Sequence, residues 1–429
     1  MTREPSAVSL VAEGFSRIAD AAGVVLLCWL GWRMFFVFDS ALQGRALLVG
    51  VVGMLACWTN LRAKKNAPLA MIAYVTIGLL SAATHRWSAV ASTPGPAWLL
   101  LFTPASHLAV MAVFIYGTAH LLRTPARLSR LVVLLVAAIA VLATQIAFDR
   151  ASSAFVYERG GPSLPSVPHW SGIHGASLFL TLGLPLTAAI ALSGRSWARV
   201  LAAGFAAISF LVVAFVNGSR GGLVTMGSVI SAMLAFATLS SLRLRSRALF
   251  FAPVIAVLCL GVAIFVWSQR AAVQGGENLS GRTLIWSGTA RLILDHPWLG
   301  VGPGNYSQAI ADSGYAQLFI ANPNYGALYN AHNMYLHVGA ESGLIGAVCL
   351  IAFLAWSLWA CWRSWMKGNA RIVSLGVMFA LLGFLVHSGS ENFLDARAEV
   401  ERTRVLVWMI LAAALALHRL SSTGPTQRV

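Results

Sequence analysis

Along most of the chain the hydrophobic positions do not alternate with polar ones. They run together for about 20 residues at a time, the length that crosses a bilayer as an α-helix. Twelve such runs can be marked out: 18–38, 46–61, 67–83, 99–121, 129–148, 174–192, 198–216, 221–242, 248–268, 340–362, 372–390 and 403–419. The second is short, and no internal repeat is evident. The pattern predicts an all-α, polytopic membrane protein with about twelve transmembrane helices. The first residues, MTREPSAVSLVAEGFSR, are too polar for a cleavable signal peptide, and the run that follows is long enough to span.

Composition agrees: 58% of residues are hydrophobic and 10% charged, where a soluble domain carries about 25% charged residues. The charges also orient the chain. With the N-terminus in the cytoplasm, 18 of the 30 Lys and Arg fall on the cytoplasmic side, and 11 of the 14 acids fall outside. The net charge of +16 is therefore a product of topology, not a sign of nucleic-acid binding. Runs such as Arg243, Arg245 and Arg247 suit anionic lipid headgroups. The five cysteines lie in or beside apolar runs without a Cys-x-x-Cys, which argues against a disulfide framework or a thiolate metal site.

Polar mass gathers on the outer face. Residues 149–173 form a Gly- and Pro-rich loop, 387–402 a charged one (HSGSENFLDARAEVER), and 269–339 the largest. Long loops of this kind are usually functional. The largest contains a predicted amphipathic helix at RTLIWSGTARLIL, followed by the turn-rich DHPWLGVGPGNY. It divides the chain into helices one to nine (1–268), the loop (269–339) and helices ten to twelve with a cytoplasmic C-terminus (340–429).

That loop ends in NAHNMYLHVGAESGLIG, where titratable groups precede a long apolar run. A helix starting near His332 places Asn333, His337 and Glu341 on one face at i, i+4 spacing. His332 would sit at its mouth. An ionisable Glu341 at that depth needs a partner, and His337 is the natural one. Arg220, in the tight turn NGSRGG before the eighth run, can be read in two ways. A guanidinium beside glycines at a helix N-terminus suits a phosphate, or it is a snorkelling arginine that ends a helix. Arg270, Arg282 and Arg291 lie in the large loop and could each bind an anion or face solvent. His169 and His174 flank the mouth of the sixth helix and could line a cleft. His332 and His337 lack the HExxH spacing and an evident third ligand, so a metal is not expected. A histidine at an aqueous cleft then serves as a general base.

The residues His332, Asn333, Gly343 and Gly346 fit a His-Asn, nine residues, Gly, two residues, Gly pattern. With NGSRGG and SGRTLIWSGTARLILDHPWLGVGPGNY in the same order, this resembles the O-antigen ligase and polymerase superfamily of bacterial inner membranes. The match covers residues 217 to 346 and is only topological over the first two hundred. The resemblance implies a GT-C-like glycosyltransferase with a periplasmic active site and short helices in its large loop. It implies an undecaprenyl-diphosphate-linked O-antigen as donor, lipid A-core as acceptor and no cofactor. The family's motif histidine carries onto His332 and its arginines onto Arg220 and Arg282. Arg270, Arg291, His337 and Glu341 are matched less securely. A polymerase or a protein O-oligosaccharyltransferase would share the donor. A transporter is the reading from another class, but the apolar runs are almost free of midplane charge. The sequence leaves open which of His332 and His337 takes the proton.

Overall fold

The computed structural model describes residues 7–36, 42–57, 68–84, 106–152, 172–191, 205, 220–241, 280–315, 330–368, 370–394 and 401–422. The candidate spans 198–216 (apart from Phe205) and 248–268 lie outside them, as do Arg270 and His169. The described residues form helices and turns without a strand. We number the helices α1 (Ala7–Phe36), α2 (Leu42–Cys57), α3 (Leu69–Thr84), α4 (Ser106–Leu121), α5 (Pro125–Ser152) and α6 (Gly172–Ala191). Then follow α7 (Arg220–Ser241), α8 (Ser280–Asp295), α9 (Tyr306–Asp312), α10 (Met334–Met366), α11 (Arg371–His387) and α12 (Glu401–Ser422).

Helix α12 sits in the middle. Every residue from Val405 to Leu417 is buried, so its apolar surface runs all the way round, as a core helix requires. Helices α4, α10 and α11 pack directly on it, with α2 against α4, α3 against α10, and α6 and α7 against α11. Close approach of α2 and α4 depends on small residues: a Cβ on Gly117 would stand 2.1 Å from the Gly50 carbonyl oxygen. The short second run forms a helix of 16 residues.

Among the described residues, α10 and α12 are long and apolar enough to cross a membrane, and five shorter apolar helices accompany them. Helices α4 and α5 meet at a bend of 119°. Pro125 opens α5, where its missing N–H costs nothing. Asp20 of α1, an acid just inside the first predicted span, pins this corner by accepting from Arg127 at 2.7 Å and Arg123 at 3.1 Å. Both arginines are partly exposed, so the acid keeps its charge without being sealed in lipid.

Helix α10 begins six residues earlier than the hydrophobic run suggests. It is broken at Gly343, which has φ 68° and ψ −179°. The break leaves the carbonyls of Ala340 and Glu341 without helical partners. Residues 297–302 fill it: Val301 N–H donates to Ala340 O at 2.8 Å, Gly302 N–H to Glu341 O at 2.9 Å, and Leu344 N–H to Pro297 O at 2.8 Å. From α3, Ser81 Oγ adds a bond to Glu341 O at 2.9 Å. The turn-rich DHPWLGVG segment is thus a plug that satisfies a kinked helix. Helix α8, expected from RTLIWSGTARLIL, forms and lies against α10. Its Ile285, Leu292 and Ile293 join Val301, Tyr306, Ile310, Ala331 and Ala340 in a second, smaller core.

Candidate active site

The first turn of α10 is shaped by two asparagines. Asn330, buried, accepts the His332 N–H on its Oδ1 at 2.5 Å. That local bond accompanies a left-handed backbone at His332, φ 46°. Residues other than glycine seldom adopt this conformation, although histidine does so more readily than most. Asn333 is the N-cap: its Oδ1 accepts from Tyr335 N–H at 3.0 Å and Leu336 N–H at 3.1 Å. Its Nδ2 donates to Gly389 O at 3.1 Å, and Met334 N–H donates to Ser388 O at 2.9 Å. The turn after α11 is therefore fastened to the start of α10 by both side chain and backbone. Because the cap falls at Asn333, the helix starts at Met334 and His332 points aside.

The fastened turn delivers Glu391. One of its oxygens accepts from Arg282 Nη2 at 2.7 Å, and the other lies 3.0 Å from His332 Nδ1. Arg282, on the first turn of α8, also donates from Nη1 to Ser390 O at 2.8 Å. The side chains of Arg282 and His332 are 26% and 36% exposed, while Glu391 is 8% exposed. An outward-facing imidazole and an accessible guanidinium thus share one buried carboxylate.

Helix α7 reaches the same turn. A Cβ on Gly221 would stand 2.5 Å from Ser390 Oγ, so the backbone beside Arg220 abuts the residue next to Glu391. Arg220 is the first residue of α7, placed here by its backbone. The first turn of α6, which includes His174, comes to this end as well: Ser177 Oγ lies 3.3 Å from His387 Nε2 at the close of α11.

His337 and Glu341 form the predicted i, i+4 pair, with Nε2 3.3 Å from Oε1. The pair is inward-facing. His337 is 2% exposed and its ring lies 4.8 Å from that of Tyr306. Glu341 Oε1 also accepts the Gly304 N–H at 2.7 Å. Burial pushes the Tyr306 phenol up to about 12, with Glu341 adding in the same direction and the Thr289 hydroxyl opposing. Tyr306 therefore stays protonated and shares a 2.7 Å hydrogen bond with Thr289 Oγ1, whose own proton goes to Ile285 O. Tyr74, His107 and Asn392 share a small cleft with His337 and Glu341.

Arg291 does not join either group. It stands exposed over the Tyr315 ring at 5.9 Å, and Tyr315 donates to Asp295 at 2.7 Å. On α8 it lies nine residues beyond Arg282, about 13 Å along the axis. Among the described residues, no three His, Cys, Asp or Glu side chains come together as a metal site would need. The residue that reading the sequence missed is Glu391. Its loop reads as charged, but nothing in the sequence ties it to His332, 59 positions away.

An integral membrane protein whose described residues are helices and turns, with arginine, glutamate and histidine gathered at the end of a kinked span, is the class that fold and site define. Residues 204–351 match the family model described as O-antigen ligase. The matched segment holds Arg220, Arg282, His332, His337 and Glu341; Glu391 and residues 1–203 lie outside it. No curated protein matches the chain.

Proposed function

We infer that the protein is a glycosyltransferase that moves an O-antigen glycan from undecaprenyl diphosphate onto lipid A-core. The observation that supports this most is the meeting of His332 and Arg282 on a single carboxylate, inside a chain with an O-antigen ligase match. The full reading has about twelve spans in a GT-C-like bacterial inner-membrane protein. Both ends are cytoplasmic, and the site is periplasmic, built by the 269–339 loop between the two blocks of helices.

In this scheme His332 Nε2 takes the proton of an acceptor hydroxyl, worth typically 10²–10⁴ in rate. The hydroxyl oxygen attacks C1 of the donor sugar. The bond from C1 to the diphosphate oxygen breaks, and undecaprenyl diphosphate leaves with the electron pair. Arg282, with Arg220 from α7, holds the diphosphate and offsets its growing charge. Attack opposite the leaving group inverts C1, without a metal. His332 is preferred to His337 because it is 36% exposed, while the buried His337 is already engaged by Glu341. The lipid tail would lie among the outer ends of the helices.

Transfer of a lipid-linked glycan to purified lipid A-core tests the reading. His332→Ala should abolish transfer while undecaprenyl diphosphate still binds, and full activity would remove the base. A deletion strain separates the two related chemistries. Core lipid free of O-chain indicates ligation, and core bearing a single repeat indicates polymerisation.

A further inference from the structure

We propose that Glu391 is the positioning residue of this site. Its carboxylate fixes the tautomer and direction of the His332 imidazole and registers Arg282 against it. The proposal rests on the reading of His332 as the base.

A carboxylate paired with a guanidinium is an acceptor, so the contact at 3.0 Å makes His332 Nδ1 the protonated nitrogen. Nε2 then carries the lone pair, and it lies on the side of the ring away from Glu391. That is the nitrogen a hydroxyl can reach. When Nε2 takes the hydroxyl proton, the imidazolium keeps its Nδ1–H on Glu391, which stabilises the new charge across 3.0 Å. The proton is later released from Nε2 to water, restoring the same tautomer.

The carboxylate is well placed for this because the turn that carries it is fastened to the start of α10 by two hydrogen bonds. Asn333 Nδ2 holds Gly389 O and Met334 N–H holds Ser388 O, so the turn cannot shift without moving the first turn of α10. A buried carboxylate is costly alone, and the Arg282 contact at 2.7 Å offsets that cost. The left-handed backbone of His332, accompanied by its Asn330 bond, turns the side chain aside from α10, and Glu391 holds the ring there. The same carboxylate therefore sets base and diphosphate clamp at a fixed separation.

The test uses the full-length protein in lipid nanodiscs, with lipid A-core as acceptor. It measures kcat, undecaprenyl diphosphate binding and thermal unfolding for Glu391→Gln, Glu391→Asp and His332→Ala. An amide at 391 can present its N–H₂ to Nδ1 and reverse the tautomer. Glu391→Gln should therefore lose ~10²-fold or more in kcat while the undecaprenyl diphosphate Kd holds. Glu391→Asp, with the charge but a shorter reach, should fall between Gln and the wild type. Adding Glu391→Gln to His332→Ala should cost nothing more, because the two residues act as a unit. If His332→Ala is inactive but folded Glu391→Gln keeps its kcat, the positioning role is wrong and the base reading survives. If Glu391→Gln does not fold, Glu391→Asp carries the test, and wild-type kcat there overturns the proposal. Activity surviving in His332→Ala overturns the base reading itself.

Discussion

Gly300 and Gly343 meet backbone to backbone. A Cβ on Gly343 would stand 2.1 Å from the Trp298 carbonyl oxygen, and one on Gly300 would stand 2.4 Å from the Ala340 carbonyl oxygen. Both residues also have positive φ, 69° and 68° respectively. Alanine at either position is strained in its backbone and collides with groups that cannot swing away. We expect Gly343→Ala and Gly300→Ala to destabilise the protein by at least about 2 kcal/mol. Thermal unfolding in detergent is the measurement. Unchanged midpoints would show that the plug of residues 297–302 does not lock the α10 kink.

The cap at Asn333 performs two separable jobs. Asn333→Ala removes the acceptor for Tyr335 and Leu336 N–H and should cost about 1 kcal/mol. Asn333→Asp keeps that acceptor but loses the donor to Gly389 O. Aspartate should therefore preserve the unfolding midpoint better than alanine, yet still lower transfer, because the turn carrying Glu391 keeps only the Met334 N–H bond to Ser388 O. Equal activity in Asn333→Asp and wild type would sever the link between the cap and the site.

How much of this arrangement was legible depends on the range of each contact. The His337–Glu341 pair and the amphipathic α8 follow from spacing within one helix, and both form. The start of α10 was displaced because hydrophobicity marks the membrane-spanning part, whereas the end of a helix is set by its cap. Residues 334–339, which carry His337 and precede the long apolar run, join the helix through the cap at Asn333. The Gly343 break is invisible in the pattern for the same reason: the carbonyls it frees are satisfied by a distant loop. Glu391 could not be assigned, since its partners come from α8, 109 residues away, and from the mouth of α10. Long-range polar contacts carry no periodicity.

The two histidines should respond differently to substitution. His332→Ala should abolish transfer and leave the unfolding midpoint close to wild type, because the side chain is 36% exposed. His337→Ala leaves a void beside Tyr306 and takes a partner from Glu341 in a buried setting, which should cost about 2–4 kcal/mol. Its activity per folded molecule should fall far less than its stability. Measuring both quantities on both variants checks this. A stable, inactive His337→Ala would assign the proton transfer to the inner histidine instead.

The arginines divide in the same manner. Arg282 is held at the site by Glu391 and Ser390, whereas Arg291 stands over Tyr315 at the other end of α8. Replacing Arg282 by alanine removes a fork of donors from a partly buried ion pair and strands the carboxylate, a loss of about 2–5 kcal/mol in comparable binding sites. Undecaprenyl diphosphate should then bind at least tenfold more weakly, since tenfold is about 1.4 kcal/mol. Arg291→Ala should bind it as the wild type does, because its cation faces solvent and an exposed ring. Isothermal titration of both variants with undecaprenyl diphosphate in detergent reads the difference directly. Comparable losses in the two would mean that the whole length of α8 lies along the diphosphate, and that the clamp is broader than the Glu391 cluster.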